Sequence, residues 1–291
     1  WMIKVFLYGF KVKRGDMVWA LGFESAFPLL MASKIKGFKL CFDDADRFSM
    51  LVKNRYLRFC IKVLEVFTSR TVYKHIIPSF ERYSFKSNSF YLVTNVPSKD
   101  ILQVAKYIYD QKDWKEFGLT ININGWLSRS RGIAIALKIC DRLKGYDIGF
   151  IIAGKLDCEE AILLSQRDNV QYLGEVSNEE ALASYYASDL VFTYYDPISE
   201  INRYAASNKW GDALKTGVGI LVNKEIITAQ KLIDQGVAIG LTFDDIEGLL
   251  SEIKTLSVDE KRLADIKKRA LYVGEDFPYF DSSIEKIFTT N

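Results

Sequence analysis

Short β-rich runs alternate with helical segments from residue 119 onward, and this alternation limits the fold more than any other feature of the sequence. The β-rich runs are, in chain order, LTININGWL, IGFIIAG, NVQYLGEV and LVFTYY. Strands that alternate with helices form a parallel sheet whose faces are covered by those helices. Two capping-box spacings, Ser177 with Glu180 and Ser257 with Glu260, predict helices that begin at these serines.

A second, less regular α/β pattern occupies the first hundred residues. Its β-rich runs are 16–23, 39–44, 75–80 and 90–95. A long basic helix is predicted from about Met50 to Lys74. The fold class is therefore α/β, with two Rossmann-like parallel-sheet domains. We expect the first domain to span residues 1–112 and the second 113–275, with residues 276–291 forming a helix that crosses back to the first domain.

The composition fits two domains of ordinary size. The chain has 291 residues, of which 49% are apolar, so each domain can bury its own core. No run approaches the ~20 apolar residues of a membrane span, and no signal peptide is visible. The four cysteines stand singly in apolar stretches, which is typical of reduced, buried thiols in a cytoplasmic protein. A single histidine, His75, disfavours a histidine-based zinc site.

Charge is distributed unevenly along the chain. Residues 1–100 contain 17 Lys and Arg against 8 Asp and Glu, whereas residues 101–291 contain 22 against 29. The predicted basic helix includes Lys53, Arg55, Arg58, Lys62 and Arg70, interleaved with aromatic residues. Such a helix can lie on an anionic membrane surface, although an ordinary half-exposed helix has the same pattern. We expect a peripheral position at the inner face of a membrane, and no nucleic-acid partner because no recognition motif is present.

Two arginines, Arg129 and Arg131, stand between the first strand of the second domain and the helix that follows it. Ligands of open parallel sheets collect outside the carboxyl ends of the strands. Free backbone N–H groups and the helix dipole favour an anion at this point. The pair therefore suits a diphosphate, although two arginines in a loop are also compatible with simple solvation.

A further candidate is the segment SNKWGDALKTGVGILVN, in which a short helix carries Asp212 and ends in a glycine before an apolar strand. The long connection DPISEINRYAASN leads into it, and loops of about a dozen residues inside a compact domain are usually functional. A carboxylate one turn into such a helix can accept hydrogen bonds from a vicinal diol such as a ribose. Asp212 is the candidate for that contact.

The order of these signals resembles the carboxy-terminal domain of GT-B-fold glycosyltransferases, in particular glycosyltransferase family 4. INGWLSRSRGIAIAL places Gly125, Arg131 and Gly132 at the positions of the strand-end glycine and the basic loop that bind the donor diphosphate. Trp126 stands where the family usually has arginine. The stretch NVQYLGEVSNEEALASYYASDLVFTYY, which includes Gly174, is similar to the family's NVxFLGxVxxEELxxxYxxADLxVxPS.

The segment GDALKTGVGILVN lines up with the family's EAMAxGxPVIAxx, which implies that Asp212 contacts the donor ribose. The family's preceding motif glutamate is replaced by Tyr204. Some divergent members carry NK shortly before the second acid, so the resemblance implies that Asn208 and Lys209 contact the donor, with Glu200 as a weaker substitute.

The residues FYLVTNVPSKD resemble the turn that closes the first domain, which implies a cleft-facing Asn95. Glu24, in the first domain, joins Asn95 and Glu200 as a candidate acceptor or cleft residue. Against two full sheets of ordinary size, the first domain is expected to lack roughly sixty to eighty residues.

The resemblance implies a glycosyltransferase of the hexosyltransferase class with a UDP- or GDP-linked donor and no further cofactor. The acceptor is expected to be a glycan or a lipid-linked oligosaccharide, in bacterial surface polysaccharide synthesis, with retention of anomeric configuration. Arg131 and Lys209 are the candidate catalytic residues, because they can neutralise the departing diphosphate. No metal is then needed.

Three alternatives stay open. A metal-dependent glycosyltransferase is suggested by Asp44-Ala45-Asp46, a DxD triplet whose carboxylates could hold Mg²⁺ or Mn²⁺. A sugar-nucleotide epimerase can share the twin-sheet fold, but such enzymes use several catalytic acids and histidines. A non-catalytic nucleotide-sugar-binding subunit fits the loss of the first motif acid at Tyr204.

Overall fold

The computed structural model describes residues 1–289 and divides into two compact units, Trp1–Thr94 and a second unit that begins at Asn95. Each unit contains its own parallel sheet, of four strands in the first and six in the second. The α/β prediction and the two Rossmann-like sheets are thereby confirmed. None of the helices within residues 1–289 is long and apolar enough to cross a membrane.

The first unit has its four strands in chain order across the sheet, all parallel. They are β1 (Met17–Leu21), β2 (Lys39–Asp43), β3 (Lys74–Ile77) and β4 (Phe90–Leu92). The helices are α1 (Met2–Gly9), α2 (Phe23–Lys36), α3 (Phe48–Leu51) and α4 (Arg55–Thr71).

The predicted bounds of the long basic helix, Met50 to Lys74, are wrong at both ends, because α4 spans only Arg55–Thr71. The Asn54 side chain accepts hydrogen bonds from the N–H groups of Tyr56 and Leu57, at 3.0 and 3.1 Å, and so caps a helix that begins at Arg55. At the other end the backbone turns extended at Val72 and continues into β3. An asparagine cap and a β-rich continuation therefore shorten the helix.

The second unit has six parallel strands. They are β5 (Leu119–Asn124), β6 (Ile148–Ala153), β7 (Val170–Tyr172), β8 (Leu190–Thr193), β9 (Gly219–Asn223) and β10 (Ala238–Leu241). The helices from α5 to α9 are Lys99–Gln111, Ile133–Arg142, Glu159–Ser165, Asn178–Tyr186 and Glu200–Arg203. Those from α10 to α14 are Asn208–Thr216, Gln230–Asp234, Ile246–Val258, Glu260–Glu275 and Phe280–Thr289.

The strand order β10-β9-β8-β5-β6-β7 places the first strand of this unit, β5, in the middle of the sheet. The chain moves outward from β5 through β6 to β7, returns to β8 beside β5, and then moves outward in the opposite direction. Loops that leave the carboxyl ends of β5 and β8 therefore diverge, and such a switch point forms a crevice for ligands in open α/β sheets.

Two hydrophobic clusters cover the two faces of this sheet. One contains Leu119, Ile121, Ile123 and Leu127 together with apolar residues of α6, α7 and α12. The other contains residues of β8 and β9 with residues of α5, α8, α10 and α13. The helix α10, which carries the candidate residues of the SNKWGD segment, thus packs on the second face.

The domain boundary lies earlier than the sequence pattern suggested. Helix α5 was assigned to the first domain, but it belongs to the second unit and packs against α8. The C-terminal helix α14 also belongs to this unit, where Asp281 Oδ2 accepts the N–H of Lys99 at 3.4 Å. Its expected contact with the first domain stays a prediction.

Of the two predicted capping sites, the first is confirmed and the second is wrong. Ser177 Oγ accepts the N–H of Glu180 at 3.2 Å, and α8 begins directly after it. Ser257 instead lies inside α12, where its hydroxyl donates to the Lys254 carbonyl, and Asp259 caps α13. Similarly, Cys41 and Cys140 are buried as predicted, whereas Cys60 is exposed.

Candidate functional site

The loop after β5 is fixed by backbone contacts against the end of β6 and the loop that follows it. The Gly125 N–H donates to the Ala153 carbonyl at 2.9 Å, and the Leu127 N–H donates to the Lys155 carbonyl at 2.9 Å. A Cβ on Gly154 would stand 1.9 Å from the Gly125 carbonyl oxygen, so only glycine allows this approach. The loop is thereby held rigidly at the switch point of the sheet.

Helix α10 is anchored at its start by buried side chains. The Tyr195 hydroxyl hydrogen-bonds Ser207 Oγ at 2.7 Å, and the Trp210 indole N–H donates to Thr193 Oγ1 at 3.0 Å. A Cβ on Gly211 would stand 1.9 Å from the Asn95 carbonyl oxygen, so this backbone packs closely on the helix. The position of α10 relative to the sheet is therefore fixed.

The N-terminus of α10 is open to an anion. Among the described residues no side chain caps this helix, because the hydroxyl of Ser207, its N-cap residue, is paired with Tyr195 instead. The first backbone N–H groups of a helix lack intrahelical partners and carry the positive end of the helix dipole. Such an end favours a phosphate or carboxylate.

Lys209 meets the β5 loop from α10. Its Nζ lies 3.1 Å from the position that a Cβ on Gly125 would occupy, and Gly125 itself has φ +98°. The ammonium therefore stands directly against the strand-end glycine, next to the open helix end. Gly125 and Lys209, each predicted to contact the donor, thus lie next to each other in this unit.

Asp212 lies one turn further along α10, on the same side as Lys209. It is half-buried, and this burial raises its pKa from 3.8 to about 7, while the Lys209 ammonium acts in the opposite direction. Near neutral pH the side chain is thus divided between a carboxylate and a carboxylic acid. The same group can accept or donate hydrogen bonds to a diol, depending on pH.

The two arginines of the β5–α6 loop point to different partners. The Arg131 guanidinium lies 4.6 Å from the centre of the Tyr195 ring, beside the anchor of α10. Arg129 is largely exposed and donates from Nε to both oxygens of Glu160, at 2.9 and 3.0 Å. The predicted convergence of two guanidiniums is not present, since Glu160 holds Arg129 toward α7.

Other candidates lie around the same edge of the second unit. Gly174 has φ +87° and accepts the N–H of Gly154 at 2.7 Å. Asn95 is exposed and donates from Nδ2 to the Ala206 carbonyl at 2.7 Å, just before α10. Asn208 is exposed in the first turn of α10.

Two candidates stand apart from this group. Glu200 is exposed at the start of α9. Glu24 lies in the first turn of α2, in the first unit. The roles assigned to the candidate residues stay predictions.

Three residues that the sequence did not indicate support the site. Asn223 is fully buried, accepts the Tyr195 N–H at 2.9 Å and donates to the Tyr195 carbonyl at 3.1 Å. Tyr185 is also fully buried. Its burial and, to a lesser extent, the charge of Asp212 raise the pKa of Tyr185 well above the usual value, whereas a contact with Asn124 lowers it. An asparagine that ends the apolar run GILVN was a usable signal for Asn223. Tyr185 and Tyr195 had none.

The DxD triplet of the first unit does not form one metal site. Asp44 is buried, accepts the Tyr83 hydroxyl at 2.7 Å and lies 3.5 Å from His75 Nε2. Asp46 is exposed and lies 3.6 Å from Arg82 Nη2. Among residues 1–289, no group of three or more His, Cys, Asp or Glu side chains could hold a metal ion. The carboxylates of the triplet are thus committed to different partners.

No protein-family model and no curated protein sequence matches the chain. Solved structures do match. Anabaena Alr3699/HepE in complex with UDP superposes with a TM-score of 0.73 at 15% identity, over 99% of this chain and 81% of that chain. WaaG, a glycosyltransferase involved in lipopolysaccharide biosynthesis, matches with a TM-score of 0.62 at 14% identity, over 86% and 75% of the two chains.

The chain has the GT-B fold. The same fold extends to a putative UDP-N-acetylglucosamine 2-epimerase from Listeria monocytogenes, with a TM-score of 0.60 at 14% identity over 100% of this chain and 80% of that chain. A GT-B fold therefore leaves both transferase and epimerase chemistry open, and the choice depends on the residues of the site.

Proposed function

We propose that the protein is a glycosyltransferase that takes a sugar from a nucleoside-diphosphate donor. The observation that carries this proposal is the position of the Lys209 ammonium, against Gly125 and beside the uncapped start of α10. A fixed cation and free amide N–H groups at the switch point of a parallel sheet suit a diphosphate. HepE, which shares the fold, has been crystallised with UDP and with UDP-glucose.

In this proposal the site neutralises the leaving group. Negative charge builds on the diphosphate as the glycosidic bond to the sugar breaks, by analogy with the transition state of glycoside hydrolysis. Lys209, Arg131 and the first amides of α10 are held in place before the reaction. Preorganised donors of this kind are worth about 3–4 kcal/mol each in transition-state stabilisation. The proposed reaction proceeds without a metal and with retention of configuration.

We assign the contact with the ribose of the nucleoside to Asp212. An ionised carboxylate can accept a hydrogen bond from each hydroxyl of a ribose. The tight packing of Gly154 on Gly125 and the positive φ of Gly174 bring backbone, rather than side chains, to this edge of the sheet. Such an edge allows close approach of a nucleotide.

The test is a thermal-shift screen with UDP, GDP, CMP and their sugars, followed by a transfer assay with the nucleotide sugar that responds. Lys209→Met and Asp212→Asn are expected to reduce the shift. Lys144→Met is the matched control, because Lys144 is exposed in the turn before β6, at the opposite edge of the sheet. A wild-type protein that responds to none of these ligands would overturn the proposal.

The assay also separates the alternatives. A transferase releases the free nucleoside diphosphate and glycosylates an acceptor, whereas an epimerase returns a nucleotide sugar with inverted configuration at one carbon. A binding subunit shows the thermal shift without turnover. Full activity in excess EDTA supports the metal-independent reaction, and loss of activity that Mg²⁺ or Mn²⁺ restores favours the metal-dependent alternative.

For the acceptor we propose a glycan or lipid-linked oligosaccharide at an anionic membrane surface, as in bacterial surface polysaccharide synthesis. Helix α4 supports this choice, because its outward face is apolar and exposed. Tyr56 is 82% and Phe59 is 68% exposed, with Val63 and Phe67 along the same face. The exposed cations Arg55, Lys62 and Arg70 accompany them.

A helix with an aromatic face and cationic neighbours binds at the boundary of headgroups and acyl chains. We therefore place the protein at the cytoplasmic face of a membrane as a peripheral protein. Flotation with vesicles that contain anionic lipid is expected to recover the wild type, and vesicles of phosphatidylcholine alone are expected to recover less. The double variant Phe59→Ser, Phe67→Ser should stay unbound. Equal recovery of the wild type and the variant would contradict this assignment.

A further inference from the structure

Trp126 is a large apolar side chain that is exposed on a rigid part of the site. It is 56% accessible to solvent, although both neighbouring residues are fixed by backbone hydrogen bonds, Gly125 to the last residue of β6 and Leu127 to the loop after it. The Trp126 carbonyl also accepts the N–H of Ser128 at 3.1 Å. Single exposed apolar residues are common on protein surfaces, so what matters is where this one lies.

Trp126 lies between a glycine of the candidate site and a residue of the core. Leu127, on one side, is 1% exposed and belongs to the hydrophobic cluster that α6, α7 and α12 cover. Gly125, on the other side, is the residue against which the Lys209 ammonium lies. The exposed indole is therefore carried by the residue that directly follows the glycine of the Lys209 contact.

Charge for an anion is thus already supplied next to Trp126. Lys209 and the open end of α10 provide it, so an indole at this position adds a different property, which is a broad apolar face with a negative quadrupole. The C–H groups on one face of a hexopyranose ring carry partial positive charge and are apolar enough to pack on such a surface. A nucleotide sugar presents that ring directly beyond its diphosphate.

We propose that Trp126 is a stacking platform for a hexopyranose ring next to the diphosphate position. This inference rests on the proposed function, because it takes the anion at Lys209 to be the diphosphate of a sugar donor. The ring is that of the donor sugar or of the acceptor, since both meet at the reacting carbon. Trp126 is then a residue that selects sugar-bearing ligands over the bare nucleotide.

The test compares calorimetric affinities for UDP and UDP-glucose in the wild type, Trp126→Ala and Trp126→Phe. If another nucleotide sugar responds in the thermal-shift screen, it and its nucleotide replace this pair. Trp126→Ala is expected to lower the affinity for the nucleotide sugar by about 3- to 10-fold and to leave the affinity for the nucleotide within about 2-fold. Trp126→Phe, which keeps an aromatic face, is expected to retain most of the affinity.

A matched control is Tyr146→Ala, which removes an exposed aromatic residue from the turn before β6 and should change neither affinity. A further arm measures glucose binding in the presence of UDP. A loss confined to this arm assigns the stacked ring to the acceptor, whereas a loss confined to the nucleotide sugar assigns it to the donor.

Two results overturn the inference. One is an equal loss of affinity for UDP and UDP-glucose in Trp126→Ala, which would place the indole on the nucleotide. The other is unchanged binding in every arm. Both leave the proposed function intact, because the wild type still binds nucleotide sugar. A wild type that binds neither nucleotide nor nucleotide sugar overturns the proposed function and this inference together.

Discussion

The Lys209 ammonium lies 3.1 Å from the position that a Cβ on Gly125 would occupy. A lysine of helix α10 is thus in contact with the glycine that follows β5, at the edge of the second sheet. The glycine has φ +98°, which disfavours other residues at this position. The backbone conformation of Gly125 therefore leaves room for the Lys209 charge, and a substitution of either residue can break the contact.

Gly125→Ala is expected to lower both stability and nucleotide affinity. The positive φ costs about 1–2 kcal/mol of unfolding free energy for a residue with a Cβ. The added methyl group also displaces the flexible Lys209 side chain, so UDP affinity should fall by about 10-fold, the equivalent of one weakened charged contact. Chemical denaturation and calorimetry measure the two effects.

The control for this variant is Gly145→Ala. Gly145 has φ +92°, and no heavy atom in the described part of the chain lies within 4 Å of a Cβ built there. This variant should lose a similar amount of stability with unchanged UDP affinity. If Gly125→Ala behaves in the same way, the contact with Lys209 does not position the lysine for binding.

Asp212→Asn is expected to stabilise the free protein. Burial raises the pKa of Asp212 from 3.8 to about 7, so the folded state keeps its proton in a pH range where the unfolded chain has released it. Stability of the wild type should therefore fall as pH rises from about 4 to about 7 and stay level above that. The variant does not lose stability in this way, so at pH 8 its free energy of unfolding should exceed that of the wild type by roughly 2 kcal/mol, after allowance for partial solvent access.

The same substitution should weaken binding of UDP-glucose, whose diphosphate does not titrate between pH 6 and pH 8. Wild-type affinity is expected to increase with pH through about 7 as Asp212 ionises and becomes a full acceptor for the ribose. The affinity of Asp212→Asn should be lower and independent of pH in this range. A wild-type affinity that does not change between pH 6 and pH 8 would argue that Asp212 does not contact the ribose.

The parts of the fold that could be predicted from sequence are those fixed by local patterns. Apolar runs between helical segments identified the parallel sheets, and a serine with a downstream glutamate located the start of α8. The same spacing failed at Ser257, because Asp259 offered a carboxylate cap two residues later and α12 continued past the serine. Local signals thus compete, and the spacing alone does not identify the one that acts.

The site was predicted only in part, because its contacts depend on how distant segments of the chain come together. Gly125, Lys209 and Asp212 were identified from the resemblance, but the contact between Gly125 and Lys209 depends on the return of the chain to β8 beside β5, which no local pattern encodes. The pairing of Arg129 with Glu160 depends on how α7 packs next to the loop. Tyr185 and Asn223 support the site from within the core, and of the two only Asn223, which ends the apolar run GILVN, had a signal in the sequence.

Asn223→Ala is expected to destabilise the second unit by about 2–4 kcal/mol, because it leaves the buried N–H and carbonyl groups of Tyr195 without their partners. Tyr195 anchors Ser207 at the start of α10 and lies under Arg131, so UDP affinity should fall together with stability. Thermal denaturation and calorimetry at a temperature well below the transition separate these effects. An affinity equal to that of the wild type would show that the anchor is not needed for binding.

Glu160→Gln tests whether Arg129 can serve the diphosphate. In the free protein the Glu160 carboxylate accepts hydrogen bonds from Arg129 Nε, and this interaction lowers the pKa of Glu160. Removing the negative charge releases the arginine and removes a repulsive group near the loop. UDP affinity is expected to increase by about 2- to 5-fold at low salt and by less at high salt, as for other exposed charges. The double variant Arg129→Ala, Glu160→Gln should lose this gain. If it keeps the gain, the effect comes from the loss of repulsion by Glu160, and Arg129 is not a ligand of the diphosphate.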